Sequence, residues 1–311
     1  MGLSTPSSVA APAIGRSLRR ARPDLVGTVF SIILLLSLLF SLAVLGVLVG
    51  DQLGRGLPVF AERGVDFLTS SLSSNPANAG VAQGIVGTAL LVTIVSLIAF
   101  PIGILTAVYI EEYAPANALT RFIDVNIRNL AGVPSVVYGL LGLAIFVAAF
   151  AALGIGNGRN ALTGGLTLAV LVLPLVIITS AEAIRSVPTS LREGGYGIGG
   201  SRWQVVSGLV LPSAAPGILT GTVLALSRAI GETAPLIVVG AVLGSFSNSG
   251  SLADLFGGAY TALPVIVYDW ARKPQDEFRA LTSAAIIVLL FVTILANALA
   301  IVLRNRYERR W

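Results

Sequence analysis

The sequence predicts an all-α polytopic membrane protein with six transmembrane helices. Of its 311 residues, 55% are hydrophobic and 11% are charged, whereas a soluble domain carries roughly 25% charged residues. Long apolar segments recur along the chain, and they do not alternate polar and apolar residues as membrane β-strands do. A membrane helix needs about 20 apolar residues, so each of these segments can cross the bilayer once.

The apolar segments are separated by stretches that contain charged residues. They predict membrane helices within residues 25–50, 81–110, 129–158, 160–181, 213–243 and 280–303. The first segment is longer than the apolar part of a cleaved signal peptide, which has about 7–15 residues, so we expect it to stay as a helix. Residues 1–24 are rich in Ser, Ala, Pro and Arg and predict a disordered cytosolic tail.

The distribution of basic residues predicts the orientation. With the N-terminus inside, thirteen of the 20 basic residues fall in inner segments and six fall in outer segments. Because cytosolic loops are enriched in Lys and Arg, we predict a multi-pass plasma (inner) membrane protein with N- and C-termini in the cytosol. Topology and membrane lipid then explain the net charge of +5, and no nucleic-acid partner is expected.

Two outer segments are long. Residues 51–80 carry Ser, Asn and charged residues and predict an extracytoplasmic loop, after which residues 81–311 form the core of the protein. The apolar stretch 260–270 is too short to span the bilayer. It predicts an interfacial or re-entrant helix with a Tyr and Trp rim.

Composition also excludes several kinds of chemistry. The chain has no Cys and no His, so it lacks the usual thiolate nucleophile and the imidazole that serves as base or metal ligand. It has no Walker Lys motif, and no metal cluster or nucleophile–base set is evident in the sequence. We therefore expect no catalytic residue, no metal and no cofactor in this chain, and no enzymatic activity of its own.

Residues 182–212 form a glycine-rich segment on the predicted cytosolic side. Ser190 and Glu193 have the spacing of a capping box, which predicts the start of a short helix. Glycines at positions 194, 195, 197, 199 and 200 then permit a sharp turn. Ser201 can cap a second helix, which Pro212 would end or hand over to the fifth membrane helix. Such a helix–turn–helix is suited to a groove on a partner.

This segment resembles the cytosolic motif of ABC-importer permeases, which reads Glu-Ala-Ala, three residues, Gly, nine residues and Ile-x-Leu-Pro. Here Glu193-Gly-Gly is followed at the same spacing by Gly199 and by Leu209-Val-Leu-Pro212. The departures are Gly for both Ala residues and Leu for Ile. In that family the short helix docks onto the ATPase subunit and transmits its motion. The resemblance implies a type I ABC-importer permease (MetI-like) core, with ATPase-coupling residues Arg192, Glu193, Gly194, Gly195, Gly199, Leu209 and Pro212.

Two opposite charges interrupt the fifth apolar segment. Arg228 and Glu232 are four residues apart, which would place them on one helix face, and each costs about 2.5–3.5 kcal/mol in mid-membrane. The planar guanidinium fits two oxygens of an anion such as phosphate, and Glu232 could hold Arg228 while the pathway is empty. Gly231 and Pro235 would weaken the helix here. The alternative is an ion pair that only fixes helix packing.

The stretch Arg228-Ala-Ile-Gly-Glu-Thr-Ala-Pro235 resembles phosphate-specific ABC permeases of the PstA type. Residues 129–142 resemble the third helix of such a subunit, and residues 263–278 resemble its last outer segment; the similarity covers about residues 80–311. It implies phosphate import by alternating access. The candidate pathway residues are Arg228, Glu232, Thr233, Asn129, Ser135 and Tyr138. Small polar residues also hold membrane helices together, so packing stays an alternative for Asn129, Ser135 and Tyr138.

The same resemblance implies several partners. They are a second permease subunit in a pseudo-two-fold heterodimer, two ATP-binding subunits that bind ATP and Mg and hydrolyse the ATP, and an extracytoplasmic phosphate-binding protein. Three alternatives stay open: an ABC permease for another oxyanion such as sulfate or molybdate, an ion-coupled secondary transporter that uses Arg228 and Glu232 as a relay, and a non-transporting scaffold. In sulfate and molybdate permeases the corresponding stretch typically reads Gly-Glu-Phe-Gly, which differs from this chain.

Charged residues also stand at the inner ends of the second and fourth membrane helices. Glu111 and Glu112 precede Pro115, which ends the second helix, and we expect a solvated helix end there. Glu182 and Arg185 are expected to be interfacial charges that could touch the ATPase.

Overall fold

The computed structural model describes residues 25–244 and 256–307 of the chain, and the regular secondary structure in these ranges is helical. The helices are α1 Leu25–Arg63, α2 Asp66–Thr69, α3 Ala82–Val108, α4 Ala118–Ala131, α5 Ser135–Gly142, α6 Ala148–Ala152, α7 Ala161–Arg185, α8 Thr189–Gly197, α9 Arg202–Val205, α10 Leu211–Gly231, α11 Ala234–Val238, α12 Leu263–Ala271 and α13 Glu277–Tyr307. Wider π-helical turns at Tyr109–Tyr113, Leu143–Val147 and Val206–Val210 extend α3, join α5 to α6 and join α9 to α10.

Six helical stretches in the described ranges are long and apolar enough to cross a membrane. They are Leu25–Arg63, Ala82–Tyr113, Ser135–Ala152, Ala161–Arg185, Arg202–Gly231 and Glu277–Val302. This confirms the predicted all-α class and the predicted count of six helices. The predicted tail, residues 1–24, lies outside the described residues.

The chain divides into two compact units, Met1–Asp51 and Gln52–Trp311. In the first unit, residues 25–51 form the apolar part of α1, whose side chains are almost all exposed. A helix that is apolar on every side is suited to lipid, because no face of it prefers water.

The end of α1 differs from the prediction, which placed it at Gly50. The helix continues to Arg63, so the segment predicted as a loop is largely helical as far as α2. Charged residues such as Asp51 and Arg55 suggest a loop, but charged side chains are compatible with helical backbone. Within the second unit, Gly56 lies so close to α13 that a Cβ atom there would stand 2.8 Å from the Ala284 nitrogen. This close packing supports the continued helix.

The core of the second unit is built around α7. This helix is the most buried of the six candidate spans, since 67% of the residues in its most apolar stretch are buried inside the protein. It packs mainly against α3 and α10. A Cβ atom at Gly103 of α3 would lie 2.6 Å from Val176 of α7, and one at Gly165 of α7 would lie 2.5 Å from Ile94 of α3. Small residues at these positions let the two backbones approach, as in other membrane helix pairs.

The short helix α12 packs against α13 and against the first part of α3. It confirms that residues 260–270 do not form a spanning helix, and the Leu263 amide at its start donates to the Thr88 hydroxyl at 2.9 Å. The predicted aromatic rim is wrong for Trp270 and Tyr260, whereas Tyr268 is 40% exposed. Trp270 is only 1% exposed and packs between Phe67 and Phe278. Tyr260 is buried against Gly164, and burial raises the pKa of its hydroxyl.

Candidate substrate pathway and coupling segment

The fifth predicted membrane helix is broken next to its charged residues. Helix α10 ends at Gly231, Glu232 has extended backbone angles (φ −78°, ψ 123°), and α11 starts again at Ala234 with Pro235 in its first turn. Pro235 has no amide hydrogen, and in a continuous helix its ring would clash with the carbonyl of Gly231. The predicted weakening of the helix by Gly231 and Pro235 is confirmed, and the break replaces a continuous helix over residues 213–243.

Arg228 and Glu232 pair across this break. The Arg228 Nε lies 3.4 Å from the Glu232 Oε1, and the side chains are 44% and 18% exposed. The prediction of a shared helix face is wrong, because only Arg228 is on the helix. A charge-assisted hydrogen bond is normally about 2.7–2.9 Å long, so this pair is loose. A cation on the last turn of α10 is also favoured by the helix dipole.

A polar contact that the sequence analysis missed adjoins this pair. Ser227 lies on α10 immediately before Arg228, and its hydroxyl donates to the Asn297 side-chain carbonyl oxygen of α13 at 2.6 Å. The signal that could have found it is Asn297 itself, an amide within an otherwise apolar membrane helix. The contact ties α10 to α13 next to the charged pair.

Tyr138 is brought close to the break by the packing of α5 on α11. A Cβ atom at Gly139 would lie 2.8 Å from the Pro235 Cα, so these two helices are in direct contact. The Tyr138 side chain is buried, and its hydroxyl donates to the Leu130 carbonyl at 2.8 Å. Tyr138 therefore fixes the junction between α4 and α5 beside the pathway candidates.

The remaining pathway candidates differ in position. Thr233 is partly exposed within the break, directly after Glu232, and Ser135 is partly exposed in the first turn of α5, on the same helix as Tyr138. Asn129 is exposed near the end of α4. The structure thus brings Arg228, Glu232, Thr233 and Tyr138 together, and it leaves Asn129 on a separate helix.

The glycine-rich segment forms the predicted helix–turn–helix, with differences in detail. Helix α8 begins after Pro188 and has no side-chain cap, so the predicted capping box of Ser190 and Glu193 is wrong; Ser190 is already inside the helix. Ser201 caps the next helix as predicted, and it forms a capping box with Gln204. Pro212 stands in the first turn of α10 and does not end the helix, because the π-helical turn leads directly into α10.

The glycines of this segment have different roles. Residues 194, 195 and 197 lie inside α8, whereas Gly199 has a positive φ of 84° and makes the turn. Gly195 is buried, and a Cβ atom there would stand 2.9 Å from both Val205 and Leu209. This contact explains Gly in place of Ala at the third position of the motif, since α8 lies tightly on the turn that follows α9.

Several large apolar side chains of the segment are exposed. Ile198 is 89% exposed and Trp203 is 63% exposed, and Leu191 and Tyr196 are also exposed. Glu193 and Gly194 lie on the surface of α8 as well. Exposed large apolar residues that cluster on a loop mark a surface for binding a partner.

Glu112 corrects the expectation of a solvated helix end. Its side chain is 7% exposed, and its Oε1 accepts hydrogen bonds from Arg192 of α8, from Nη2 at 2.8 Å and from Nε at 3.1 Å. The neighbouring Glu111 pairs with Arg185 at the end of α7, where the arginine side chain is 56% exposed. In the parts of the chain that the structure describes, no group of three or more acidic side chains is arranged to hold a metal ion.

The structure combines a broken membrane helix that carries a charged pair with a short surface helix on a glycine turn. Broken helices of this kind are typical of membrane transport proteins. Residues 99–311 match the family described as the binding-protein-dependent transport system inner membrane component, and the chain belongs to this family. The predicted type I ABC-importer permease fold is confirmed by the structure of the MetNI methionine ABC transporter in an inward-facing conformation. That similarity has a TM-score of 0.59 and 17% identity, and it covers 74% of this chain and 96% of that one.

Within the family, the chain is similar to permeases named for phosphate transport. The phosphate transport system permease protein PstA 1 of Mycobacterium tuberculosis is 32% identical over 231 residues, which are 74% of this chain and 72% of that protein. The phosphate transport system permease protein PstA of Mycobacterium leprae is 32% identical over 280 residues, which are 89% of this chain and 87% of that protein. These relatives confirm the resemblance to PstA-type permeases.

Proposed function

We propose that this ABC permease chain carries inorganic phosphate across the plasma membrane as one subunit of an ATP-driven importer. The observation that carries the proposal is Arg228 at the end of a broken membrane helix, held loosely by Glu232 and partly exposed. The relatives named for phosphate transport support the same substrate. An intramembrane cation with a weak internal partner is suited to transient binding of an anion.

Arg228 would bind the substrate through its guanidinium. This planar group can donate two parallel hydrogen bonds to two oxygens of one oxyanion. An incoming phosphate would then replace Glu232 as the partner of Arg228, because the present contact is long for a charged pair. Thr233 and the backbone groups freed by the break would provide further polar contacts.

Glu232 would add selectivity for phosphate over sulfate. An ionised carboxylate only accepts hydrogen bonds, so it favours an anion that carries a hydroxyl group. Phosphate keeps at least one P–OH near neutral pH, whereas sulfate has none. We infer that the P–OH donates to Glu232 while Arg228 holds the remaining oxygens.

Helix α8 would dock onto an ATP-binding subunit, which binds ATP and Mg and hydrolyses the ATP. The exposed apolar side chains that follow α8, such as Ile198 and, in α9, Trp203, would be covered in the complex. This assignment places the α8 end of the bundle, and both termini, in the cytosol. The opposite end, which carries α12, would face an extracytoplasmic phosphate-binding protein. A second permease subunit would complete the pathway as a pseudo-two-fold partner.

Alternating access would follow from this arrangement. ATP binding would draw the coupling segments of the two permeases together and open the pathway outward, and hydrolysis would restore the inward state. Membership of the binding-protein-dependent family disfavours the ion-coupled secondary transporter. An ABC permease for another oxyanion is distinguished by whether sulfate inhibits phosphate uptake.

The test is uptake of radiolabelled phosphate by proteoliposomes that contain the whole complex, with the binding protein outside, ATP inside and sulfate as competitor. We expect uptake that requires ATP and resists sulfate. Arg228→Gln protein that assembles normally should lose most of this uptake, because the amide carries no charge. Sulfate-sensitive uptake would reject phosphate as the substrate, and normal uptake by Arg228→Gln would reject the site.

A further inference from the structure

Arg192 joins three elements at the α8 end of the bundle. Its Nε and Nη2 bind the Glu112 carboxylate, as described above, and its Nη1 donates to the Val187 carbonyl at 2.6 Å while Nη2 also donates to the Ile184 carbonyl at 2.8 Å. Glu112 lies on the π-helical turn that ends α3, and Ile184 lies in the last turn of α7. One guanidinium therefore links α8 to the ends of both α3 and α7.

The geometry of these bonds makes the link rigid. A guanidinium is planar and carries its five donors in a fixed fork. The acceptors here are Glu112 at the end of α3, Ile184 of α7 and Val187 in the linker after α7. Arg192 can therefore neither rotate nor translate without breaking hydrogen bonds. Breaking them would also leave the Glu112 carboxylate, which is 7% exposed, without its charged partner, and a buried unpaired charge is strongly disfavoured.

The helices that Arg192 joins also contact the helix of the substrate site. Both α3 and α7 pack against α10, which carries Arg228. The backbone route from α8 to α10 passes instead through the turn at Gly199 and Gly200. Glycine is the most conformationally free residue, so this turn is poorly suited to transmit a displacement. The route through Arg192 avoids this turn, and it adds hydrogen bonds to the apolar packing of Gly195 on Val205 and Leu209.

We propose that Arg192 and Glu112 form a transmission joint that carries movement of α8 into α3 and α7, and through them to α10. Both are positioning residues, since neither reaches the substrate site. The proposal rests on the proposed function, because it takes α8 as the segment that the ATPase subunit moves. It gives Glu112 a role in coupling ATP hydrolysis to transport.

The chain provides a matched control for this joint. Glu111 is the neighbour of Glu112 on the same π-helical turn, and it also pairs with an arginine. Its partner, Arg185, belongs to α7, so this pair does not involve α8, and the arginine is largely exposed. Glu111 is itself only 14% exposed, and its two oxygens accept from Nε and Nη2 of Arg185, so its burial is comparable with that of Glu112. Loss of Glu111 therefore removes one charge from the same turn without loosening α8.

The experiment compares Glu112→Gln, Arg192→Lys and Glu111→Gln in the assembled complex in proteoliposomes. Two rates are measured in each preparation: phosphate uptake, and ATP hydrolysis with and without binding protein. Coupling between distant sites in proteins typically amounts to about 5–150-fold. We expect Glu112→Gln to lower phosphate imported per ATP by about tenfold while ATP hydrolysis continues, and Glu111→Gln to keep the wild-type ratio.

Arg192→Lys keeps the charge but cannot bridge Glu112 and both carbonyls at once, so we expect it to assemble and to lower the ratio as well. The joint is rejected if both variants import as much phosphate per ATP as Glu111→Gln does. A fall in uptake and hydrolysis in proportion to reduced assembly would also reject it, since that indicates a structural role. Failure of the wild-type complex to import phosphate would instead reject the proposed function.

Discussion

At the scale of single residues, the loose pair of Arg228 and Glu232 is the feature with the clearest chemical consequence. Its charges are visible in the sequence, because ionisable residues are rare in membrane helices. Its geometry is not visible there, because four-residue spacing suggests one continuous helix face. Pro235 overrides that spacing by ending α10 at Gly231. The position of the Glu232 side chain is therefore set by the extended backbone after α10, and not by helical spacing from Arg228.

Substitution of Glu232 should change selectivity more than rate. Glu232→Gln removes the acceptor-only carboxylate but keeps the side-chain shape, and the new amide can donate to an anion. We expect sulfate to inhibit phosphate uptake by this variant at least about tenfold more effectively, corresponding to about 1.4 kcal/mol of discrimination. The measurement is the sulfate concentration that halves uptake in proteoliposomes. An unchanged value would mean that Glu232 does not contact the anion.

The buried Glu112 shows where sequence reasoning fails at this scale. The run Glu111-Glu112-Tyr113 before Pro115 is typical of a solvated helix end, but Glu111 is only 14% exposed and Glu112 is 7% exposed. Glu112 departs from that expectation because its partner, Arg192, is eighty positions further along the chain. Long-range pairing of charges leaves no periodic signal in a single sequence, so neither the burial of Glu112 nor the Ser227–Asn297 contact could be predicted.

At the scale of helices, the length of each apolar segment predicts that a membrane helix is present, but it predicts poorly where that helix ends. The apolar segments predicted all six candidate spans, since bilayer thickness imposes a minimum length. The end of α1 lies 13 residues beyond the predicted Gly50, because a helix can leave the apolar region and continue as a packed surface helix. The glycine turn after α8 was predicted from composition, whereas the start of α8 was not, because Pro188 takes the capping position.

Close helix packing predicts which glycines tolerate a side chain. A Cβ atom at Gly87 of α3 would clash with the Thr261 carbonyl oxygen, which belongs to the backbone and cannot swing away. We expect Gly87→Ala to destabilise the protein by about 1–3 kcal/mol, which is usual for overpacking. Thermal unfolding of the purified complex in detergent measures this as a lower midpoint temperature.

Gly194→Ala is the control for that substitution. Gly194 lies within α8, where a Cβ atom would meet nothing within 4 Å, and Ala is favoured over Gly in a helix by about 1 kcal/mol. We expect the midpoint to stay the same or to rise. Equal destabilisation by both substitutions would mean that the contact with Thr261 does not limit residue 87.

At the scale of the whole molecule, the second unit places two surfaces at opposite ends of α3 and α7. The coupling segment lies where these helices end; α12 lies at the start of α3, and Tyr260, just before α12, contacts the start of α7. The sequence predicted both surfaces from local composition. Their common dependence on α7 could not be predicted, because burial of a membrane helix by its neighbours does not alter its hydrophobic length.

The position of the coupling segment predicts a crosslink. The chain contains no Cys, so a single introduced cysteine is the one thiol it carries. Ile198 is 89% exposed at the tip of the segment, and we expect Ile198→Cys, treated in membranes with a reagent that joins cysteine to lysine, to form a covalent product with the ATP-binding subunit. The product is detected by its electrophoretic mobility and by antibodies to both subunits.

Val65→Cys is the matched control, because Val65 is 69% exposed and lies near α2, close to the α12 end. It should give no product with the ATP-binding subunit. The proposed orientation is rejected if Val65→Cys gives that product and Ile198→Cys does not.

The three π-helical turns have a consequence for how related chains align. Each such turn holds one residue more than an α-helix needs, and it usually originates as a single-residue insertion that the helix absorbs. Tyr109–Tyr113 is one of them, and it carries Glu111 and Glu112, which pair with arginines on two different helices. A family member with a one-residue gap at this place would have an uninterrupted helix, and every later side chain would be rotated by about 100°. In that protein the residue equivalent to Glu112 would point elsewhere, so a different side chain would have to bind the arginine of its coupling helix.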